Sequence, residues 1–237
     1  MKTLGLLLAS SFLHVMLLAQ GMNTLELLEK SIQYHDPNGN WEQVALALHF
    51  EETRPDGSIR YTAVQIDIAK EFFAVNQKNG TDEVIRTIEK GKCTHQLNGS
   101  STISEEDTKR LRLTCERTAF MRNYYTYLWG LPMKLKDPGT LLDATASLDT
   151  FDGKKAYKMR VRYDAAVGSD VWYFYFDTTT FALIGYRFYH DESKNDGEYI
   201  LLSGETSING MRLPKVRKWY THQADKFLGT DTLVRGQ

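Results

Sequence analysis

Between residues 144 and 221 the chain is cut by five tight turns into short runs of alternating side chains, and this punctuation constrains the fold more than any other feature. The runs fall at roughly 144–150, 155–163, 170–176, 181–190, 197–208 and 211–221, and the turns are Asp152-Gly153, Gly168-Ser169, Asp177-Thr178, Asp196-Gly197 and Asn209-Gly210. Strands joined by turns this short pair with their sequence neighbours and run antiparallel. The N-terminal half shows the same grammar. Val44, Leu46, Leu48 and Phe50 share one face, Arg54-Pro55-Asp56-Gly57 turns the chain, and strand-like runs follow at 58–68, 72–77 and 83–90, with Asn79-Gly80 as a hairpin signal.

Two stretches break the period of two. Asn23 with Glu26 predicts a helix start, and Leu25, Leu28 and Ile32 form its apolar stripe, stopped at Asp36-Pro37-Asn38-Gly39-Asn40. Ser104 with Asp107 opens a second helical region, expected to run to about Trp129 and to end at Gly130-Leu131-Pro132. The expected fold class is mainly β (α+β): a single curved antiparallel sheet or unclosed β-barrel, with helices covering its open face.

The hairpin Asp170-Val171-Trp172-Tyr173-Phe174-Tyr175-Phe176-Asp177 raises a particular problem. Side chains alternate along a strand, so Trp172, Phe174 and Phe176 point one way and Val171, Tyr173 and Tyr175 the other. A strand with one wet face alternates apolar with polar residues, and this one does not. Either protein covers both faces or one face lines something other than water. The helical stretch is similarly rich. Phe120, Tyr124, Tyr127 and Leu128 share a face, Met121, Tyr125 and Trp129 extend it around the helix, and Leu131, Pro132 and Met133 carry it into the loop. These residues are expected either to form a lid over an apolar cavity or to pack as an ordinary core helix. The candidate ligand-binding set is therefore Phe120, Tyr124, Tyr125, Tyr127, Trp129, Met133, Trp172, Phe174 and Phe176.

The first residues, MKTLGLLLASSFLHVMLLAQGMN, place Lys2 before the apolar stretch Leu4 to Leu18 and small residues at Ala19 and Gly21. That pattern is expected of a secretory signal peptide over residues 1–20, with residues 21–237 as a single domain and no stable membrane insertion after cleavage. The expected location is the periplasm or the extracellular space. Cys93 and Cys115 are the only cysteines, and in an exported chain an isolated pair without C-x-x-C spacing is expected to be a structural disulfide. A zinc site would need more ligands than the neighbouring His95. With a net charge of −1 and no basic stripe, the chain does not have the composition of a nucleic-acid binder.

Few residues suggest catalysis. His35-Asp36 and His190-Asp191 could together form an acid/base or metal-dependent hydrolytic site, or each could serve its own turn. There is no G-x-S-x-G, phosphate loop or G-x-G-x-x-G, so no cofactor is expected.

The run Trp172 to Asp177 with Thr180 and Leu183, the strand Tyr199 to Ser207, and Asn209-Gly210-Met211-Arg212-Leu213-Pro214 resemble the end of the periplasmic lipoprotein-carrier (LolA-like) superfamily. That resemblance implies an unclosed antiparallel barrel with helices over its apolar side, and acyl chains or lipids as ligands. A resemblance spanning nearly the whole chain is to a family of exported bacterial proteins without assigned function. It rests on His35-Asp36-Pro37-Asn38-Gly39-Asn40-Trp41, Arg122-Asn123-Tyr124-Tyr125 with Leu131-Pro132, and His190-Asp191-Glu192. The expected partner is an apolar small molecule or lipid held without catalysis; the alternatives are the hydrolase and an envelope sensor that binds a protein.

Overall fold

The computed structural model describes residues 21–237; the expected signal peptide, residues 1–20, lies outside them. The N-terminal part runs β1 (Met22–Asn23), α1 (Thr24–His35), β2 (Ala45–Thr53), β3 (Ile59–Asp67), β4 (Phe72–Asn79), β5 (Asp82–Glu89) and β6 (Lys92–Leu97). Two helices follow, α2 (Glu105–Arg110) and α3 (Cys115–Gly130). The rest is β7 (Thr140–Leu142), β8 (Thr145–Phe151), β9 (Lys154–Tyr163), β10 (Val171–Asp177), β11 (Leu183–Tyr189), β12 (Glu198–Ile208), β13 (Met211–Thr221) and β14 (Phe227–Gly236).

All strands join one unclosed sheet in the order β1-β8-β9-β10-β11-β12-β13-β14-β2-β3-β4-β5-β6, with β7 also on β9. Every pairing is antiparallel. The mainly β fold class expected from the turns is thus the observed one, and each run expected between 144 and 221 is a strand whose ends agree within two residues. The last strand, β14, joins the two meanders by lying between β13 and β2.

Three features differ from the expectation. Strands β6, β7 and β14 lack the alternating apolar pattern; β14 is interrupted by Gly229 and Asp231 and is held as a strand by neighbours on both edges. The second helical region is two helices. Arg112 takes a positive φ of 51°, and Thr114 starts a new helix by accepting a hydrogen bond from the Arg117 amide at 3.1 Å. The third concerns the helix faces. Met121, Tyr125 and Trp129 are the side of α3 that packs onto the sheet, with Leu48, Phe50, Val64, Phe73 and Val75. The Phe50 ring centroid lies 5.7 Å from Tyr125 and 5.6 Å from Trp129.

On the other side of the sheet's inner face, α1 contributes Leu27 and Leu28 to a second cluster with Leu135, Met159, Phe174, Phe176 and Leu183. The outward side of β10 is covered too. Tyr175 stacks on Phe151 with centroids 4.0 Å apart, and the Arg187 guanidinium lies over both rings. Residue 185 has to be glycine for this: a Cβ there would sit 2.2 Å from Phe151 Cε1. Both faces of the aromatic hairpin are therefore covered by protein over much of its length, but not at Trp172.

Candidate ligand cavity

The sheet register aligns the inner-face residues in rows. One row runs Val161, Trp172, Phe188, Glu198 across β9 to β12, and the next runs Met159, Phe174, Tyr186, Ile200, Trp219 across β9 to β13. Phe174 and Phe176 are fully buried beneath α1. Trp172, Phe188, Glu198 and Trp219 instead face a cavity of about 1000 Å³ between this part of the sheet and α3. From α3 the wall is Phe120, Tyr124, Tyr127 and Leu128 together with the polar Arg122, Asn123 and Thr126, and the cavity continues toward the turn between β3 and β4. The aromatic groups pack on one another: Trp172 and Phe188 centroids are 4.7 Å apart, Tyr127 and Trp172 5.7 Å, and Tyr124 and Trp219 6.4 Å. The Tyr127 and Tyr163 hydroxyls are hydrogen-bonded to each other, so the two polar tips at this part of the wall satisfy one another. The mouth is marked by lining residues that also meet solvent: Phe120 is 55% exposed and Val167, on the β9–β10 connection, 60%.

Helix α3 is fixed at both ends. At its first residue Cys115 is disulfide-bonded to Cys93 of β6. At its last turn the buried Arg217 of β13 donates to the Leu128 carbonyl at 3.0 Å, with its guanidinium 3.8 Å over the Trp129 ring. A cation at the C-terminal carbonyls complements the helix dipole. A second buried arginine, Arg86 of β5, ties the end of α2 by donating to the Leu111 carbonyl at 2.9 Å. An α3 that is bonded at both ends is a wall of the cavity rather than a swinging cover.

A charged row also crosses the inner face beside α3: Arg217, Asp231, Glu52 and Arg60, in register on β13, β14, β2 and β3. Arg60 pairs with Glu52, which also accepts from the Thr62 hydroxyl. Asp231 accepts the Trp219 indole N–H at 2.9 Å. Burial and the adjacent Glu52 carboxylate push Asp231 up to about 6. This row and Glu198 were not among the expected site residues. A signal existed for Glu52, which continues the inward parity of Leu46, Leu48 and Phe50.

Of the expected ligand-binding set, Phe120, Tyr124, Tyr127 and Trp172 line the cavity. Tyr125 borders a smaller hollow of about 220 Å³ with Glu52, Arg60 and Met121. Trp129, Met133, Phe174 and Phe176 lie in the core clusters.

The two histidine pairs do not meet. His35, 2% exposed, is the last residue of α1; its Nδ1–H donates to the Arg212 carbonyl at 2.7 Å and its Nε2 accepts the Leu183 amide at 2.9 Å. Burial lowers its pKa. Asp36 accepts the Asn40 and Trp41 amides at 2.8 and 2.9 Å. His190 sits at the other end of β11, about 20 Å of strand away at ~3.3 Å per residue. There its Nδ1 bonds to Asp170 at 2.8 Å. Asp191 bonds Ser193 and Lys194 in its own turn. The expected alternative, a hydrolytic constellation of His35, Asp36, His190 and Asp191, is therefore dispersed: each histidine is held by its own separate partners. Among the described residues no group of three or more His, Cys, Asp or Glu side chains is arranged to hold a metal ion.

Fold and site together define an unclosed antiparallel β half-barrel that keeps an aromatic-lined cavity beside a fixed helix. The chain belongs to a family of unknown function (DUF6503), whose model matches residues 2–236. No curated protein matches it. Among solved structures it is similar to a LolA superfamily protein from Nitrosomonas europaea, at 10% identity and a TM-score of 0.49, covering 91% of this chain and 93% of that one. A putative outer membrane lipoprotein-sorting protein domain from Vibrio parahaemolyticus is similar at 9% identity and a TM-score of 0.48, over 90% and 91% of the two chains. A DUF1329 family protein from Desulfovibrio piger follows at 9% identity and 0.43, over 91% and 93%.

Proposed function

We propose that this is an exported binding protein of the cell envelope that holds the alkyl part of an amphiphile in the cavity between α3 and strands β9 to β13, without covalent chemistry. The observation that carries this reading is the cavity itself. At about 1000 Å³ it is at the upper end of the range for small-molecule sites. Its wall is aromatic where a monomeric sheet would be expected to pack solid. Removing alkyl surface from water contributes roughly 0.8 kcal/mol per CH₂, so a chain of a dozen carbons gives useful affinity even after ordering costs. The mouth beside Phe120 and Val167 admits such a chain end-on, with α3 as a tethered wall.

The N-terminal pattern supports export, and no helix among the described residues is long and apolar enough to cross a membrane. We read residues 21–237 as one mature domain on the same grounds. The test is mass spectrometry of protein purified gently from its exported compartment, before and after organic extraction. A stoichiometric alkyl-bearing species lost on extraction is expected; protein that is ligand-free and fails to take up any added alkyl chain would overturn the reading.

A further inference from the structure

Glu198 is the anomaly of the cavity. It ends the inner-face row of Val161, Trp172 and Phe188, all three apolar, and has Thr221 as its partner on β13. Cross-strand neighbours on one face lie about 5 Å apart and diagonal ones about 7–8 Å, which puts Phe188 directly beside it and Trp219 on the diagonal. It is half-buried, and among the described residues its carboxylate has neither a hydrogen-bond nor an ion-pair partner. Burial raises its pKa, opposed by nearby His190. A partly desolvated carboxylate without a partner is a cost that a folded protein normally avoids by pairing.

The nearby charges relieve it only in part. His190 is engaged by Asp170, and that pair is self-neutralising when the imidazole is protonated. Arg60 is committed to Glu52, and Lys134 to Asp137. Of the five carboxylates on the cavity wall, Asp67, Asp137 and Asp170 are paired with Lys70, Lys134 and His190, which among the described residues leaves Glu71 and Glu198 against the single unpaired cation Arg122. Rings carry negative faces and attract cations within about 6 Å, most strongly where water is excluded.

We infer that the cavity selects an amphiphile whose head carries a cationic nitrogen, seated between the Phe188 and Trp219 rings against the Glu198 carboxylate. This rests on the alkyl-binding reading above and adds the head-group chemistry to it. An ammonium ion there supplies the partner that Glu198 lacks, while the alkyl tail runs along Trp172, Tyr127 and Leu128.

The test holds the tail constant and changes the head: dodecyltrimethylammonium, dodecyl maltoside and dodecanoate, each below its micellar concentration, titrated calorimetrically at neutral pH. The ammonium compound is expected to bind at least about tenfold more tightly than the carboxylate, a difference of about 1.4 kcal/mol, with the neutral compound between them. Glu198→Gln is expected to remove most of that preference, bringing the ammonium and carboxylate compounds to within about threefold of each other. The head series on the unaltered protein stands whether or not the variant folds. Equal or tighter binding of dodecanoate, or a preference that survives in folded Glu198→Gln, would overturn the head-group inference and leave alkyl binding intact. Failure of all three compounds to bind would overturn alkyl binding itself.

Discussion

The two faces of α3 meet the same sheet in opposite ways. Toward β2 to β5, Met121, Tyr125 and Trp129 fill the space against Phe50, Phe73 and Val75, and little of them reaches solvent. Toward β9 to β13, Phe120, Tyr124 and Tyr127 border a cavity that Trp172, Phe188 and Trp219 also line, touching the sheet through the ring pairs Tyr127–Trp172 and Tyr124–Trp219. Aromatic content is similar on the two sides, so composition does not separate core from site. Separation comes from register and from tethering. The disulfide ties the first residue of the helix to β6, and Arg217 ties its last turn to β13.

The largest effect expected from this contrast is on stability. Trp129→Ala removes a fully packed ring and is expected to cost about 3–5 kcal/mol in urea unfolding. Tyr124→Ala, on the cavity face, is expected to cost less than about 1 kcal/mol while weakening uptake of a dodecyl chain several-fold. Similar stability losses for the two variants would erase the distinction between the faces.

Next in size are the tethers. Reducing or replacing the Cys93–Cys115 link, which closes 22 residues, is expected to cost about 3 kcal/mol. His35→Ala leaves the Leu183 amide and the Arg212 carbonyl without their partner and is expected to cost about 2–3 kcal/mol. Its pH signature has a defined sign. Because burial lowers the His35 pKa in the folded protein, the unfolded chain binds the proton first, so stability is lost as pH falls below about 6.5. In His35→Ala that part of the acid sensitivity should vanish from denaturation curves taken at pH 7 and pH 5.

The smallest effect is expected at Asp231. Its folded pKa is raised, so the folded state binds the proton first and stability falls as pH rises from about 4 to about 6. Asp231→Asn, which keeps an acceptor for the Trp219 indole, is expected to gain about 1–2 kcal/mol at pH 7 and almost nothing at pH 4. A loss at pH 7 would show that the charged row across β13, β14, β2 and β3 stabilises the fold through its ionised form.

Much of the sheet was legible in the sequence because turn chemistry and alternation are local properties. Asn209-Gly210 and the run after it specify a hairpin without help from the rest of the chain. Strand β14 was not legible, because Gly229 and Asp231 have poor strand propensity and only the two flanking strands hold them in place. The site was half legible. That Phe120, Tyr124 and Tyr127 share a helix face follows from spacing; that this face borders a void, while Tyr125 and Trp129 enter the core, depends on how the sheet curves. Glu198 could not be singled out, because at the start of a strand beside Asp196-Gly197 it reads as part of a solvated turn. His35 and His190 attracted attention for their chemistry, but their roles are set by partners far away in sequence: Leu183 and Arg212 for one, Asp170 for the other.

The chain's four tryptophans give the most direct test, because Trp41 and Trp129 lie in the filled core while Trp172 and Trp219 line the cavity. Titration with a dodecyl chain brominated near its end, with intrinsic fluorescence as the signal, reads contact with each pair. The account predicts saturable quenching in the unaltered protein and its loss in Trp172→Phe/Trp219→Phe, in which Trp41 and Trp129 still emit. Quenching that persists in that double variant, or none in the unaltered protein, would contradict the placement of an alkyl ligand between α3 and strands β9 to β13.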